Sequence, residues 1–597
     1  MFRYTQFGFA CALLVLTAHS AGAVDRDWNQ TSGTQVFNSA VNWTPSAVPL
    51  AGDNLTFGLD GDVDIFLGAP SVGNDITFTN GIVEFLDVGG STLNSGGIVT
   101  IDDAFAVGLG DGAQVILNSA TWDSAGDAII GDTGFGSLTI NSGGDFEADE
   151  VLVGNQAGGV GELTLTGTGT IVTASLLSNV GIITAGKAGG TGTINVFAGA
   201  NLRTTSTSAN DIWVGWDVDP NNTANGSTGT LNVDGIGSFV ETEDLQIGVA
   251  GGTGFLNITG GGQIINTDGG TNGTPDTFIG TGPGSVGTAV VDGDGSLLRS
   301  RSIHVGRGGG TGTLAVRNGG VARTLRQGTA LGHATLGNFA GDNGQVAVYG
   351  TATDGTTASL FDVDDSLWVG NDGLGVLRIG QELDGTANGA GALQVDTDLR
   401  IGDDTTNTEN NLVVVDGANA TANVDNITYV GNFGTGRLEV TGGAQFTGRF
   451  LRVGDNSTSN GTLIIDGAGS LLDTDADTTD VTDNTFIGFS GTGTATVSNG
   501  GRLNTDALWV GYQGSSVGTL TIDGGTVNAG VDNQGTGSDL IIGGRTDGSG
   551  GTGTVVIENG GIVTSAVLTI IGGNSSATGT LTITGAGSLL DNSDNLP

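Results

Sequence analysis

Aromatic side chains recur at one position of a short repeated signature that reads apolar, variable, Val or Ile, Gly. Because side chains alternate along a β-strand, the variable residue should point away from the core that its apolar neighbours face. An outward row of rings can stack on sugar rings or contact a partner, whereas rings that pack only on each other would stiffen the sheet. Both interpretations stay open. The candidate binding residues are Trp213, Phe278, Trp368, Tyr429, Phe486 and Trp509.

Carboxylates that could cleave a polysaccharide give a weaker signal. Inverting hydrolases need two carboxyl groups on either side of the glycosidic bond. The Asn-Thr-Asp tripeptide of polygalacturonases occurs at 266–268 and 504–506, but its companions Gly-His-Gly and Arg-Ile-Lys do not occur. The sequence therefore predicts no catalytic residues and no enzyme, with a β-helix polysaccharide lyase or hydrolase as the alternative.

Acidic clusters are the candidates for a metal site. Carboxylates at alternate positions can hold Ca²⁺, and Asp473, Asp475, Asp477 and Asp480 have this spacing. The Gly-Gly-Thr-Gly turns, as at 309–312, carry the glycines of a calcium-binding nonapeptide repeat without its aspartate. The expectation is therefore no cofactor, with Ca²⁺ in an acidic turn as the alternative to a solvated one.

The signature with its loose copies defines a repeat along most of the chain. Consecutive copies lie 23 residues apart or more, so a fixed unit carries loop insertions. We expect the insertions mostly between the glycine and the next strand. The glycines fall at Gly108, Gly131, Gly154, Gly186, Gly215, Gly248, Gly280, Gly306, Gly332, Gly370, Gly402, Gly431, Gly454, Gly488, Gly511, Gly543 and Gly572.

Two further strand patterns follow each glycine, for example GTLTI (518–522) and GSLLDT (469–474). Their period of two indicates half-buried strands. Three short strands and three turns in 23 residues predict one turn of a three-sided parallel β-solenoid. About 17 such coils would stack, with right-handed crossover as the expected hand. Propeller blades need longer units, and helical repeats need a period of 3.6.

The amino-acid composition limits the classes of partner that the protein is expected to bind. The chain has 62 acidic and 17 basic residues and a formal net charge of −45. Such a surface disfavours nucleic acids and anionic membranes. Residues 1–23 read as a signal peptide with a basic start, an apolar stretch and small residues before the cleavage point. The single cysteine, Cys11, lies within this segment, so we expect an exported protein whose mature chain has no disulfide. We also expect no membrane-inserted segment in the mature chain.

Residues 24–100 depart from the repeat and are interpreted as an N-terminal capping or first-coil region, before a solenoid domain at 101–597. This region contains Trp28, Trp43, Pro45 and Asp53 in a W…NW…P…GD…F pattern. With the repeated GTLTI…VG cycle, the chain resembles the autotransporter-associated β-strand repeat proteins of bacterial surfaces. The resemblance implies export to the cell surface, an outer-membrane-associated position or release into the medium. It also implies an adhesive or structural role. No stretch of the sequence reads as the C-terminal translocator barrel of self-secreted members, so self-secretion through the chain's own barrel is not expected.

The functional expectation is a non-catalytic, rod-like adhesin or spacer. Glycan binding through the outward aromatic row and a polysaccharide-degrading enzyme are the alternatives. An extracellular glycan or a surface or matrix protein is the expected partner, and the C-terminal end of the rod is a candidate surface for self-association.

Overall fold

The protein is described from a computed structural model. It describes residues 24–58, 62–67, 71–87, 91–101, 112–175, 181–205, 211–217, 226–267, 275–326, 332–405, 410–475, 483–530, 540–544, 550–566 and 568–592. Nearly all regular structure in these ranges is β-strand, with one 3-10 helix at Ala40–Asn42. They contain no helix long and apolar enough to cross a membrane.

The strands form three parallel ladders, and from Asp62 onward successive coils contribute to all three in turn. The first, here called the long ladder, is made of strands of up to seven residues. Its strands are Ser32–Val36, Asp62–Leu67, Ile82–Asp87, Ala113–Asn118, Phe135–Asn141, Val160–Thr166, Thr191–Phe197, Thr228–Asp234, Thr253–Thr259, Val286–Asp292, Thr311–Arg317, Asn343–Tyr349, Leu374–Ile379, Asn411–Asp416, Thr435–Thr441, Asn460–Asp466, Thr492–Ser498, Val517–Asp523, Thr552–Glu558 and Thr578–Ile583.

The middle ladder follows the long ladder in each coil and is made mostly of four-residue strands. Its strands are Ser71–Gly73, Thr92–Ser95, Thr121–Ser124, Asp145–Ala148, Ile171–Ser175, Asn201–Thr205, Phe239–Thr242, Gln263–Asn266, Leu297–Ser300, Val321–Thr324, Leu360–Val363, Ala390–Val395, Leu471–Asp473, Arg502–Thr505, Thr526–Ala529, Ile562–Ser565 and Leu589–Asp591. The strands Asn419–Val430 and Gln445–Val453 run through both this ladder and the third.

The anchor ladder contains the signature that ends in glycine. Its strands are Asp25–Trp28, Asn54–Phe57, Ile76–Phe78, Val99–Ile101, Ala128–Ile130, Val151–Val153, Ile183–Lys187, Asp211–Trp216, Asp244–Val249, Asp276–Thr281, Ser302–Arg307, Ala334–Leu336, Leu367–Val369, Leu399–Ile401, Asn484–Ile487, Ala507–Val510, Leu540–Ile542 and Thr569–Ile571. A short strand, Trp43–Thr44, pairs antiparallel with the first of them. The predicted parallel β-solenoid is confirmed.

Side-chain alternation explains why the coils stack. In Val517–Asp523, Leu520 and Ile522 are buried while Thr519 and Thr521 point outward. The same pattern recurs on every ladder, and the inward residues join in one apolar core from Trp28 onward. A single coil cannot cover its own inner face, so each coil is stabilised by its neighbours.

The anchor glycines turn the chain between the anchor and long ladders. Gly154 has a φ of 69°, and a Cβ there would lie 2.1 Å from the carbonyl oxygen of Thr191 in the next coil. Positive φ and close backbone approach together require glycine at this corner. The predicted position Gly108 lies outside the described residues, whereas 15 others have positive φ as expected.

One predicted anchor, Gly332, was wrong. The anchor strand of that coil is Ala334–Leu336, which pairs with Ser302–Arg307, and it ends at Gly337 with a φ of 66°. The sequence ATLG lacks the Val or Ile of the signature, and TALG five residues earlier matches equally well. Strand register decides between them.

The expected position of the insertions also needs correction. The middle strand Asp145–Ala148 is followed after two residues by the anchor strand Val151–Val153. Nine residues separate Gln263–Asn266 from Asp276–Thr281. Much of the extra length therefore lies between the middle strand and the anchor strand in the sequence.

The N-terminal region contributes coils to the same ladders. Val99–Ile101 pairs with Ile76–Phe78 on one side and with Ala128–Ile130 on the other, so the anchor ladder continues through residue 100. The proposed domain boundary at that residue stays a prediction. Trp28 and Trp43 are buried with ring centroids 5.0 Å apart, and Phe57 packs on both. The proposed signal peptide, residues 1–23, lies outside the described part of the chain.

Candidate functional site

Strand register brings the predicted aromatic residues into one row on the outer face of the anchor ladder, here called the anchor column. Each member pairs with the equivalent residue of the next coil. In order, the column contains Thr184, Trp213, Gln246, Phe278, His304, Thr335, Trp368, Arg400, Tyr429, Arg452, Phe486 and Trp509.

Outward direction does not mean exposure in this column. Phe278 and Phe486 are only 8% and 7% exposed, and Trp368 is half-buried. Trp213, Tyr429 and Trp509 are also half-buried. Binding at the six candidates stays a prediction, and the half-buried members offer more ring surface to a ligand than the two phenylalanines.

Ring contacts cover the first half of the column. Phe278 stacks on His304 at 5.1 Å between ring centroids. His333, just before the anchor strand, contacts His304 at 5.2 Å and Trp368 at 5.4 Å, edge to face in both cases. The guanidinium carbon of Arg307 lies 4.8 Å from the ring centroid of Phe278. Phe278 is therefore covered by the His304 ring and the Arg307 guanidinium of the next coil.

Arginines continue the column between aromatic rings. Arg400 lies 5.8 Å from the Trp368 ring and 5.4 Å from the Tyr429 ring. Arg452 lies 5.7 Å from the Tyr429 ring on its other side. Such contacts are worth about 0.5–1 kcal/mol at exposed sites.

Both of these arginines also have a carboxylate partner. Arg400 Nη2 lies 3.0 Å from Asp398 Oδ2, and Arg452 Nη1 lies 3.2 Å from Asp455 Oδ1. Their charges are balanced locally, so the column offers no surplus positive charge to an anionic ligand.

The residue after the anchor glycine is a component that the sequence analysis missed. Phe489 and Tyr512 follow Gly488 and Gly511, and their rings stack at 5.0 Å. Phe486 contacts both rings, and Trp509 contacts Tyr512 at 5.0 Å. Trp216 packs beside Trp213 in the same way at 4.2 Å. The sequence alone could have indicated this component, because aromatic residues directly follow several anchor glycines.

Carboxylates run beside the column, two positions before it; Asp276 is buried, and Asp211 and Asp244 are half-buried. Asp211 is in register with Asp244, and the Asp276 N–H donates to Asp244 Oδ1 at 2.9 Å. Burial raises the pKa of Asp244 to about 7, and the charges of Asp211, Asp276 and Glu243 act in the same direction. Burial likewise raises the pKa of Asp211 to about 6, assisted by Glu243. A carboxyl with a pKa near 7 can donate a hydrogen bond at neutral pH.

The buried imidazole of His304 is neutral. Its Nε2 lies 3.9 Å from Asp276 Oδ2, but burial lowers its pKa to about 3, and nearby positive groups, His333 foremost, act the same way. Its Nδ1 lies 2.8 Å from the Thr335 hydroxyl. His304 is therefore a packing and hydrogen-bonding group at physiological pH.

The predicted metal ligands are only partly described. The Asp475 N–H donates to Asp473 Oδ1 at 3.0 Å, and the Asn504 amide donates to Asp473 Oδ2 at 3.1 Å. Asp477 and Asp480 lie outside the described residues, so calcium binding there stays a prediction. Among the residues with described positions, no group of three or more His, Cys, Asp or Glu side chains could hold a metal ion.

Of the two Asn-Thr-Asp tripeptides, 504–506 is described in full. Its Asp506 Oδ2 accepts a hydrogen bond from the Asp483 N–H at 3.2 Å. Asn504 Nδ2 donates to Asp473, and its Oδ1 accepts from Arg502 Nε and from the Asn528 amide. The amide therefore joins successive coils.

No family model matches the chain. Over 98 residues it is 37% identical to the uncharacterized lipoprotein YdeK of Escherichia coli (strain K12). That alignment spans 16% of this chain and 7% of the lipoprotein's length. A crystal structure of a TibC-catalysed, hyper-glycosylated TibA fragment aligns with 94% of this chain at 12% identity. All of that fragment is covered, with a TM-score of 0.17, which adds nothing to the description of the fold.

Proposed function

We propose that the protein is a non-catalytic, exported rod that acts at the cell surface or in the extracellular medium by adhesion or spacing. The main observation in support of a rod is that the three ladders run continuously around a single core. Twenty strands at a rise of about 4.8 Å give the long ladder a length of roughly 90 Å. Such a body holds a binding surface at a fixed distance from its attachment point.

Export is part of this proposal. It is supported by the signal-like segment at 1–23, by the resemblance to autotransporter-associated repeat proteins and by the local similarity to a lipoprotein. The acidic composition suits a soluble surface protein. Rod length by electron microscopy and adhesion of purified protein to glycan- and matrix-coated surfaces test the proposal. Adhesion to none of them, or turnover of an acidic polysaccharide abolished by one carboxylate substitution, would contradict it.

A second candidate is glycan binding through the anchor column. The half-buried Trp368 and Trp509, in a column whose arginines are charge-balanced, favour a neutral sugar. A glycan array should then show weaker binding for Trp368→Ala and Trp509→Ala than for wild type. Phe255→Ala is the matched control, because this phenylalanine is 38% exposed on the outer face of the long ladder. Equal profiles for all four proteins would remove the column as a binding site.

End-to-end association is the remaining part of the proposal. It is supported by Ile571 and Ile583, which are 48% and 46% exposed on the last described coil. Sedimentation velocity over a concentration series tests it, and a monomer throughout would contradict it.

A further inference from the structure

A groove of about 560 Å³ lies where the long ladder turns into the middle ladder. Its floor is formed by Asn201, Phe239 and Gln263, the first residues of three consecutive middle-ladder strands. Its walls include Ile236 and Asp294 from the turns before those strands. The volume is within the range of small-ligand sites.

Register fixes the order of the floor residues. Asn201 pairs with Phe239, and Phe239 pairs with Gln263. The phenyl ring therefore lies between two amides, each about 4.8 Å away at the backbone. A ring seated on Phe239 would have hydrogen-bonding groups on both of its edges.

The polar groups of the groove are available for a ligand. Within the described residues, the side chains of Asn201, Gln263 and Asp294 make no hydrogen bond. The amides on the neighbouring face differ, because Asn232 donates to Asn195 at 2.8 Å and so is already satisfied. On the long ladder, stacked amides hydrogen-bond to each other from coil to coil. In the groove, the Phe239 ring separates the amides of Asn201 and Gln263.

Ile236 adds an apolar wall. It is 89% exposed at the tip of the turn that precedes Phe239. A large aliphatic side chain is more favourable when covered than when left in water. A ligand with an apolar face and polar edges would cover both Ile236 and the Phe239 ring.

We propose that this groove binds one neutral pyranose unit of a polysaccharide. The C–H face of the sugar packs on Phe239, because aromatic faces are electron-rich and attract polarised C–H groups. The hydroxyls on the sugar's edges bond to the amides of Asn201 and Gln263 and donate to the carboxylate of Asp294. The Asp294 carboxylate and the net charge of −45 oppose an anionic sugar. This inference rests on the proposed adhesive function and names its ligand class.

The test is calorimetric titration of the full chain with neutral oligosaccharides of glucose, mannose and galactose, and with polygalacturonate as the anionic comparison. We expect binding of a neutral oligosaccharide, weakened about tenfold or more by Phe239→Ala. Gln263→Ala should weaken it less. Phe255→Ala is the control for loss of an exposed phenylalanine and should bind like wild type. Equal affinity of Phe239→Ala and wild type, or binding of polygalacturonate alone, would overturn the inference.

Adhesion assays with the same variants separate this inference from the proposed function. If wild type and Phe239→Ala adhere equally to a polysaccharide-coated surface, the groove inference fails and the adhesive rod stands. If oligosaccharide binding depends on Phe239 but no surface retains the protein, the groove stands and the adhesive function fails. Circular dichroism of each variant confirms that the solenoid is folded.

Discussion

The guanidinium carbon of Arg400 lies 5.8 Å from the ring centroid of Trp368 in the preceding coil. This contact joins two coils on the outer face, where the apolar core does not reach. The column of which it is part thus ties neighbouring coils together whether or not it also binds a ligand.

A double-mutant cycle measures the interaction free energy between Trp368 and Arg400. We expect Trp368→Ala and Arg400→Ala each to lower the urea midpoint, with a coupling free energy of about 0.5–1 kcal/mol. Trp368→Ala combined with Arg437→Ala is the control, because Arg437 lies in the long ladder and its effect should add. Additive effects in the first cycle would show that the ring and the guanidinium do not stabilise each other.

Anchor glycines should tolerate alanine far less than loop glycines. Gly154→Ala combines a φ of 69° with a Cβ 2.1 Å from a carbonyl oxygen, whereas Gly143 has a φ of 83° and open space around it. We expect a loss of about 1–2 kcal/mol for Gly143→Ala and a further 1–3 kcal/mol, roughly, for Gly154→Ala. Thermal unfolding of both variants measures the difference. Similar losses would mean that the corner relaxes around the added methyl group.

The fold and the membership of the anchor column were predictable because both depend on local patterns repeated in every coil. Alternation decides which residues face inward, and parallel stacking then aligns equivalent positions. The burial of Phe278 and Phe486 was not predictable in this way, because His304 and Tyr512 from the next coil cover them.

The groove was harder to predict than the column, because its residues differ from the usual residues of the repeat. Phe239 occupies a position where other units have Leu or Val, as at Leu297 and Val321. Its significance appears only when register places Asn201 and Gln263 beside it. A pattern search that compares equivalent outward positions would have found the ring and both amides, but not that Ile236 and Asp294 from the preceding turns wall a groove around them.

Asp244 should make the protein less stable as the pH rises. Its pKa in the folded state is about 7, above its ordinary value of 3.8, so between these values the folded protein binds more protons than the unfolded chain. Stability is therefore lost between about pH 4 and pH 7, with a slope of at most about 1.4 kcal/mol per pH unit for one proton. Asp244→Asn keeps the oxygen that accepts the Asp276 N–H but carries no charge. We expect it to match wild type near pH 4 and to exceed it at pH 8 in urea unfolding. Parallel pH profiles would refute the assignment.

Asp53 should give the opposite pH dependence. Burial alone would raise its pKa, but Arg26 and the N–H groups of Leu50 and Val24 lower it on balance. Its stabilising effect is present above the unfolded pKa and is lost as the pH falls through the lower folded value. Asp53→Asn leaves the buried Arg26 without its carboxylate and should cost about 3 kcal/mol at pH 7. Urea unfolding followed by tryptophan fluorescence should show this difference shrinking as the pH falls below about 4. A difference that persists undiminished in acid would show that the ion pair is not its source.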